Sequence, residues 1–373
     1  MQKKIVIAGA SGLVGGAAVR LFGARGDWDV VAISRRRTLG APASVQHIAV
    51  DLSDQTACAR VLGAISGVTH IIYAALTEKL EDIYGGWSDP IQIRKNVAML
   101  HNLFEPLAGA SRDLRHVSLV HGAKAYGCHL PQLKVPIPMR ESLPRVPHAN
   151  FYHEQEDYLT ARQKGCDWTW TVFRPVMIAG VGTGSNMNPF LTLPLFAALR
   201  REAGLDLPRP DGMSLVADAT DADLIAEALT WAADAAEARN EIFNISNGDV
   251  FALHEAFPVV ADALGMRLGA PQRFDIIQEI RRMAGLWSDM VQRYELDAPR
   301  DVNALFGGSM DMGGGWSAEA PEGNPLRWGV LSTIKLRQAG FSRCIDTLEM
   351  VRKYVRRYQE LRILPPNIPI GDD

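Results

Sequence analysis

Apolar residues fall in short unbroken runs through the first half of the chain, and these runs alternate with stretches of helical spacing. Ile5 to Ala8, Val30 to Ile33, His47 to Val50, His70 to Ala74, His116 to Val120 and Trp168 to Phe173 read as six strands. Runs that are apolar at nearly every position suit parallel strands buried on both faces. Between them, Val14 to Ala24, a segment capped by Asp54 and reaching Ile65, and Ile91 to Leu107 carry the spacing of helices. Repeated strand–helix units predict an α/β fold: a Rossmann-type, right-handed, doubly wound parallel sheet. Leu130 to His148 contains Pro131, Pro136, Pro138, Pro144 and Pro147, which break helix and strand alike, so a loop is expected there. Asn150 then stands as the N-cap of a helix running to Gln163.

After Arg174-Pro175 the alternation loosens. Helices are expected over Pro189 to Glu202 and from Asp218 or Thr220 to Ala232, and a strand over Glu241 to Ile245. Leu253 to Arg293 reads as mostly helical. Gly307-Gly308 and Gly313-Gly314-Gly315 mark a flexible, turn-rich stretch, and Asp346 to Leu361 a final amphipathic helix. This predicts a Rossmann domain over 1–175 with a return to the sheet near 214–248. Residues 176–213 and 249–373 are expected to form a smaller, mostly helical substrate-binding cap region.

Composition narrows the function classes. At 373 residues the chain has room for roughly two domains, and 47% hydrophobic residues supply an ample core. A net charge of -3 argues against a nucleic-acid partner. The four cysteines, Cys58, Cys128, Cys166 and Cys344, form no CxxC pair, so no metal is expected and they read as reduced thiols of a cytoplasmic enzyme. No apolar run approaches the ~20 residues that span a bilayer, so no membrane partner is expected.

Gly9-Ala10-Ser11-Gly12-Leu13-Val14-Gly15 follows the first strand and opens the first helix. Glycines at i, i+3 and i+6 allow a tight turn, backbone approach to a pyrophosphate and close helix–strand packing. The helix N-terminus adds N–H donors and the positive end of a dipole. The dinucleotide site thus includes Gly9, Ser11, Gly12, Leu13 and Val14. The second strand ends in Ser34-Arg35-Arg36-Arg37, where an NAD site carries a carboxylate for the ribose hydroxyl. Arg35 and Arg36 suit a 2'-phosphate instead, so NADPH/NADP+ is the expected cofactor. Asp51 and Leu52 lie where the adenine edge is expected, and Ala74 and Ala75 are small enough for close approach.

Lys124 and Tyr152 are the candidate catalytic residues. Short-chain dehydrogenases carry a lysine four residues after the catalytic tyrosine; here that position is Glu156, which cannot lower a phenol's pKa. Lys124 comes from a separate segment, His121-Gly122-Ala123-Lys124-Ala125-Tyr126-Gly127, at the C-terminal edge of the fifth strand, where ligands bind in such sheets. A phenol and an ammonium converging on one carbonyl oxygen stabilise negative charge developing there, and the ammonium is expected to lower the phenol pKa. The pair serves a ketone reductase or a reductase of an enone C=C bond, and the residues leave both open. Tyr126, a candidate pocket wall, and Tyr158 are the competing phenols. His121 and His153 read as structural.

These segments resemble the progesterone 5β-reductase/iridoid synthase-like enzymes, a branch of atypical extended short-chain dehydrogenases. The likeness is carried by Gly9 to Gly15, Ser34-Arg35-Arg36, Gly122 to Tyr126, Asn150-Phe151-Tyr152 with Glu156-Asp157, Arg174-Pro175, Asp221 to Ala226 and above all Asn240 to Phe251. It implies NADPH-dependent 1,4-reduction of enones or enals, with Tyr152 and Lys124 holding the enolate oxygen. It also implies Pro175, Val176 and Ile178 beside the nicotinamide, and Ser185 and Met187 near the phosphates. The likeness weakens after about Phe274, and His121, Ala125 and His153 depart from the family's usual residues. The expected partner is a small apolar carbonyl-containing substrate. A carbonyl reductase and a non-catalytic NADP sensor are the alternatives; a nucleotide-sugar epimerase is disfavoured by the missing Tyr-x-x-x-Lys. The helix from Ile91 to Leu107 is either a homodimer face or a helix docked on the sheet.

Overall fold

The structure is a computed structural model that describes residues 3–79, 82, 85–130, 132–185, 187–212, 215–317 and 329–367. It divides into two compact units. The first comprises Met1–Val176, Ala222–Ser246 and Leu331–Arg343; the second comprises Met177–Asp221, Asn247–Val330 and Cys344–Asp373. Residues 331–343, expected in the cap, therefore lie in the first unit, and 214–221 in the second.

The first unit is built on β1 (Lys3–Ala8), α1 (Leu13–Gly23), β2 (Trp28–Ile33), β3 (Gln46–Ile48), α2 (Gln55–Leu62), β4 (His70–Tyr73), α3 (Pro90–Ala110), β5 (His116–Val120), α4 (Phe151–Gln163) and β6 (Thr169–Pro175). Further along the chain it adds α6 (Ala222–Ala232) and β7 (Glu241–Ile245); α5 (Pro189–Glu202) belongs to the second unit. The sheet runs β7-β6-β5-β4-β1-β2-β3 and every pair is parallel. The strand order reverses between β1 and β4, which opens the crevice where such sheets bind ligands.

Local chemistry explains the element boundaries. Asp54 and Asn150 cap α2 and α4 by accepting from Ala57 N at 2.9 Å and Tyr152 N at 3.0 Å. Val6, Val31, Ile71, Val117 and Val172 bury one face of the sheet against Leu100, Leu103, Phe104 and Leu107 of α3. The apolar side of α3 is thus taken up by the core of its own unit. Elsewhere in the first unit, α6 packs on α1.

Past β6, two segments depart from expectation and a third refines it. The helix expected from Asp218 or Thr220 starts only at Ala222, because Thr220–Asp221 pairs with Ile178–Ala179. Asp221 is held there by Asn247 Oδ1, which accepts its N–H at 2.7 Å, and by Lys353 and Tyr354, which both donate to its carboxylate. The glycine run at 313–315 lies within a 3-10 helix, Met310–Trp316, that packs rather than flexes. A Cβ on Gly313 would sit 2.1 Å from Thr192 Oγ1, and Trp316 Nε1 donates to Pro189 O at 2.8 Å. The region expected as mostly helical interrupts its helices, Ala256–Ala263, Ile276–Arg282 and Ala284–Arg293, with a strand, Leu268–Gln272, paired to Leu207–Pro210.

Candidate active site

The glycine turn after β1 is shaped by close contact. Gly9 has φ +76, and a Cβ there would lie 2.4 Å from Ala74 O; a Cβ on Gly15 would lie 2.2 Å from Gly9 O. No side chain fits either place, so the turn stays tight, with Gly12 as N-cap and Leu13 and Val14 opening α1. Ala74 continues the β4 pairing through its N–H to Ala8 O at 3.0 Å, with Ala75 next in line. Ser11 lies in the turn itself, half-buried.

At the end of β2, Ser34 Oγ donates to Arg36 O at 2.5 Å, which curls the chain and leaves Arg35, Arg36 and Arg37 exposed. Asp51 accepts from Ser53 N and Oγ at 2.9 and 2.8 Å; these bonds hold its carboxyl below the usual value, with Arg35 adding a smaller pull. Leu52 is buried and its carbonyl accepts from Asn102. The geometry fits a dinucleotide: a cradle cleared of side chains, a free-facing helix start, and guanidinium groups where a carboxylate would select the unphosphorylated ribose. Pro175 and Val176 close the end of β6 in this unit. Ile178, Ser185 and Met187 belong to the second unit, where Ile178 pairs with Thr220, Ser185 is buried and Met187 N donates to Ser309 Oγ at 2.8 Å.

Lys124 lies in a single 3-10 turn, Ala123–Tyr126, directly after β5, and Tyr152 in the first turn of α4. One side chain couples them. Asn150 Oδ1 caps Tyr152 N while its Nδ2 donates to Lys124 O at 2.9 Å. His153 Nε2 donates to Ala125 O at 2.9 Å and fastens the same two segments again. Both functional side chains then meet Trp87: Lys124 Nζ lies 3.8 Å from the indole centroid, and the Tyr152 ring lies 5.3 Å from it, edge-on.

The electrostatics correct one expectation. Burial raises the Tyr152 phenol, and the Glu78 charge raises it further, so Tyr152 is a neutral donor rather than an activated phenolate. Burial lowers the Lys124 ammonium to about 8, opposed by Glu78 and then by Cys128. Glu156, standing where a dehydrogenase lysine would, points away from this chemistry. It accepts from Arg174 at 2.7 Å, Arg145 at 2.9 Å and His121 Nδ1 at 3.2 Å. His121 is buried, kept below its usual value by that burial, and stacks on the Tyr152 ring at 4.3 Å. It thus fixes the phenol's plane from behind.

The competing phenols are engaged elsewhere. Tyr126 Oη donates to Asn244 at 2.6 Å, and Tyr158 Oη to Glu105 at 2.6 Å. Glu78 and Trp87 were not foreseen as part of the site. They come from the segment between β4 and α3, where no motif marks them.

The profile of the PRISE-like Rossmann-fold domain matches residues 51–308 of this chain. An (S)-8-oxocitronellyl enol synthase of Nepeta cataria is 29% identical, with 96% of this chain and 92% of that protein aligned. A second from the same plant is 33% identical over 71% of this chain and 68% of its own length. The 3-oxo-Delta(4,5)-steroid 5-beta-reductase of Arabidopsis thaliana is 27% identical over 96% of this chain and 92% of its own. Among solved structures, the UDP-glucose 4-epimerase of Thermotoga maritima superposes with a TM-score of 0.64 at 15% identity, over 96% of this chain and 99% of that one. That likeness is one of fold; in this chain the epimerases' extended Rossmann architecture carries a lysine and a tyrosine drawn from two segments. A nicotinamide-dependent oxidoreductase built in this way belongs to the PRISE-like Rossmann-fold family.

Proposed function

We propose that this protein is an NADPH-dependent reductase of activated C=C bonds, adding hydride to the β carbon of an enone or enal. The observation that carries the reading is the pairing of a buried neutral phenol, Tyr152, with a half-buried ammonium, Lys124, around Trp87. The names of the relatives point the same way. A 3-oxo-Delta(4,5)-steroid is an enone, and an enol is what conjugate hydride addition leaves once the oxygen is protonated.

When bound, the nicotinamide supplies the hydride. The protein's own contribution lies at the substrate oxygen. Tyr152 donates a hydrogen bond to it, and Lys124 places a positive charge near the negative charge that develops there. Because Tyr152 is buried and Lys124 half-buried, that stabilisation is stronger than in water. His121 and Asn150 hold the phenol ready, so little reorganisation accompanies the reaction. Arg35 and Arg36 select the phosphorylated cofactor.

The test is NADPH consumption with a simple cyclic enone and with its saturated ketone, with the products identified. Conversion of the enone to the saturated ketone is expected. Reduction of the ketone, or an allylic alcohol from the enone, would instead make the protein a carbonyl reductase working through the same two residues.

A further inference from the structure

Two polar residues on the core-facing side of α3, Gln92 and Asn96, are buried one turn apart. Buried amides are costly unless hydrogen-bonded. Asn96 Oδ1 accepts from Thr77 N at 2.8 Å, and its Nδ2 donates to Thr77 O at 2.9 Å. Gln92 Oε1 accepts from Lys79 N at 2.6 Å. The backbone is therefore pinned on either side of Glu78. The Glu78 carboxylate is fully buried, lies 3.9 Å from Lys124 Nζ and accepts from Trp87 Nε1 at 3.1 Å. Its Oε2 has no hydrogen-bond partner. Trp87 turns the face of its ring to the same ammonium that Glu78 approaches. A carboxylate and an ammonium drawn together away from bulk water compensate each other, and removing either leaves the other uncompensated.

We propose that Glu78, pinned on α3 and backed by Trp87, is a positioning residue that keeps Lys124 charged and aimed at the substrate oxygen. What the ammonium does for the substrate rests on the enone-reductase reading; the clamp itself does not.

Among the described residues, the other titratable groups facing Lys124, namely Cys128, His129 and Tyr152, are neutral at neutral pH. Burial pushes the Cys128 thiol up to about 11 and the His129 imidazole down to about 3, and it keeps Tyr152 protonated. Glu78 supplies the negative charge that opposes the fall of the Lys124 value.

The experiment follows Lys124 directly, by NMR of protein labelled with 13C at the lysine Cε, its signal assigned with Lys124→Arg. In the wild type the signal is expected to titrate near 8. In Glu78→Gln, which keeps the shape and removes the charge, the midpoint is expected to fall by about one unit or more. The alkaline limb of kcat/KM for the enone should move down by the same amount, so that activity above pH 8 drops roughly tenfold while NADPH affinity is retained. Glu78→Asp keeps the charge and is expected to restore most of the midpoint. Trp87→Phe, which keeps a ring but loses the N–H, should shift it in the same direction by less. An unmoved Lys124 midpoint in a Glu78→Gln protein that still binds NADPH overturns the proposal. A shifted midpoint in a protein whose wild type reduces no enone upholds the clamp and overturns the reductase reading.

Discussion

At the scale of single residues, the site is defined by what each side chain is prevented from doing. Burial, and then the Glu78 charge, keep Tyr152 protonated, which suits it to donate a hydrogen bond. Tyr152→Phe removes the donor and leaves the ring stack with His121. We expect turnover to fall by on the order of 100- to 1000-fold with NADPH affinity unchanged, read by steady-state kinetics beside a fluorescence titration. A non-catalytic sensor would be indifferent. Arg35 and Arg36 are exposed at the end of β2, where an NAD site would carry a carboxylate on the strand end itself. Replacing both with Glu should cost roughly tenfold or more in NADPH affinity and little in NADH affinity, since only the 2'-phosphate distinguishes the two. A local motif carries each of these proposed roles, so the sequence alone suggests them. It showed Glu78 and Trp87 poorly. Their signal was indirect: Gln92 and Asn96, polar residues four apart on the buried side of α3, whose bonds go to the backbone around Glu78.

At the scale of elements, the important joint is between the end of β5, the start of α4 and the end of β6. Glu156 on α4 accepts from His121 after β5 and from Arg174 in β6. Those partners outweigh the cost of burial and hold its carboxyl down to about 2, against an ordinary 4.5. The carboxylate therefore favours the folded state above about 4.5, and that contribution, on the order of 3 kcal/mol, is lost as pH falls towards 2. Glu156→Gln leaves Arg174 buried beside a neutral amide. We expect a loss of about 3–5 kcal/mol at neutral pH in denaturant melts, and a flatter decline of stability between pH 4.5 and 2 than in the wild type. The sequence marked Glu156 as the wrong residue for a dehydrogenase lysine. Only the meeting of three elements showed what it does instead.

At the scale of the whole molecule, the sheet is assembled from distant parts of the chain. β7 pairs with β6 along the edge, and α6 packs on α1 with Leu224, Ile225 and Leu229 buried. A fragment ending at Val176 lacks both, and uncovers Val172 and Phe173 on β6. It is expected to show no cooperative thermal transition, read by near-UV circular dichroism. In the full chain, NADPH at 100 times its Kd should stabilise the protein by about 2.7 kcal/mol, visible as a rise in Tm that NADH at the same concentration matches only weakly.

The sequence by itself determined the strands and most of the helices of the first unit. Their signals are local: apolar runs fit a sheet buried on both faces, and Asp54 and Asn150 cap the helices that follow them. It determined the glycine turn and the basic end of β2 for the same reason. The tertiary structure decided what depends on residues far apart in the chain. Asp221 joined a strand pair rather than a helix because Asn247, Lys353 and Tyr354 reach it from later segments. Lys124 found its carboxylate 46 positions upstream, on a segment positioned by α3, and Tyr152 stays protonated through burial, with the charge brought there adding to it. Burial and long-range pairing set those values, and neither is written in the spacing of neighbouring residues.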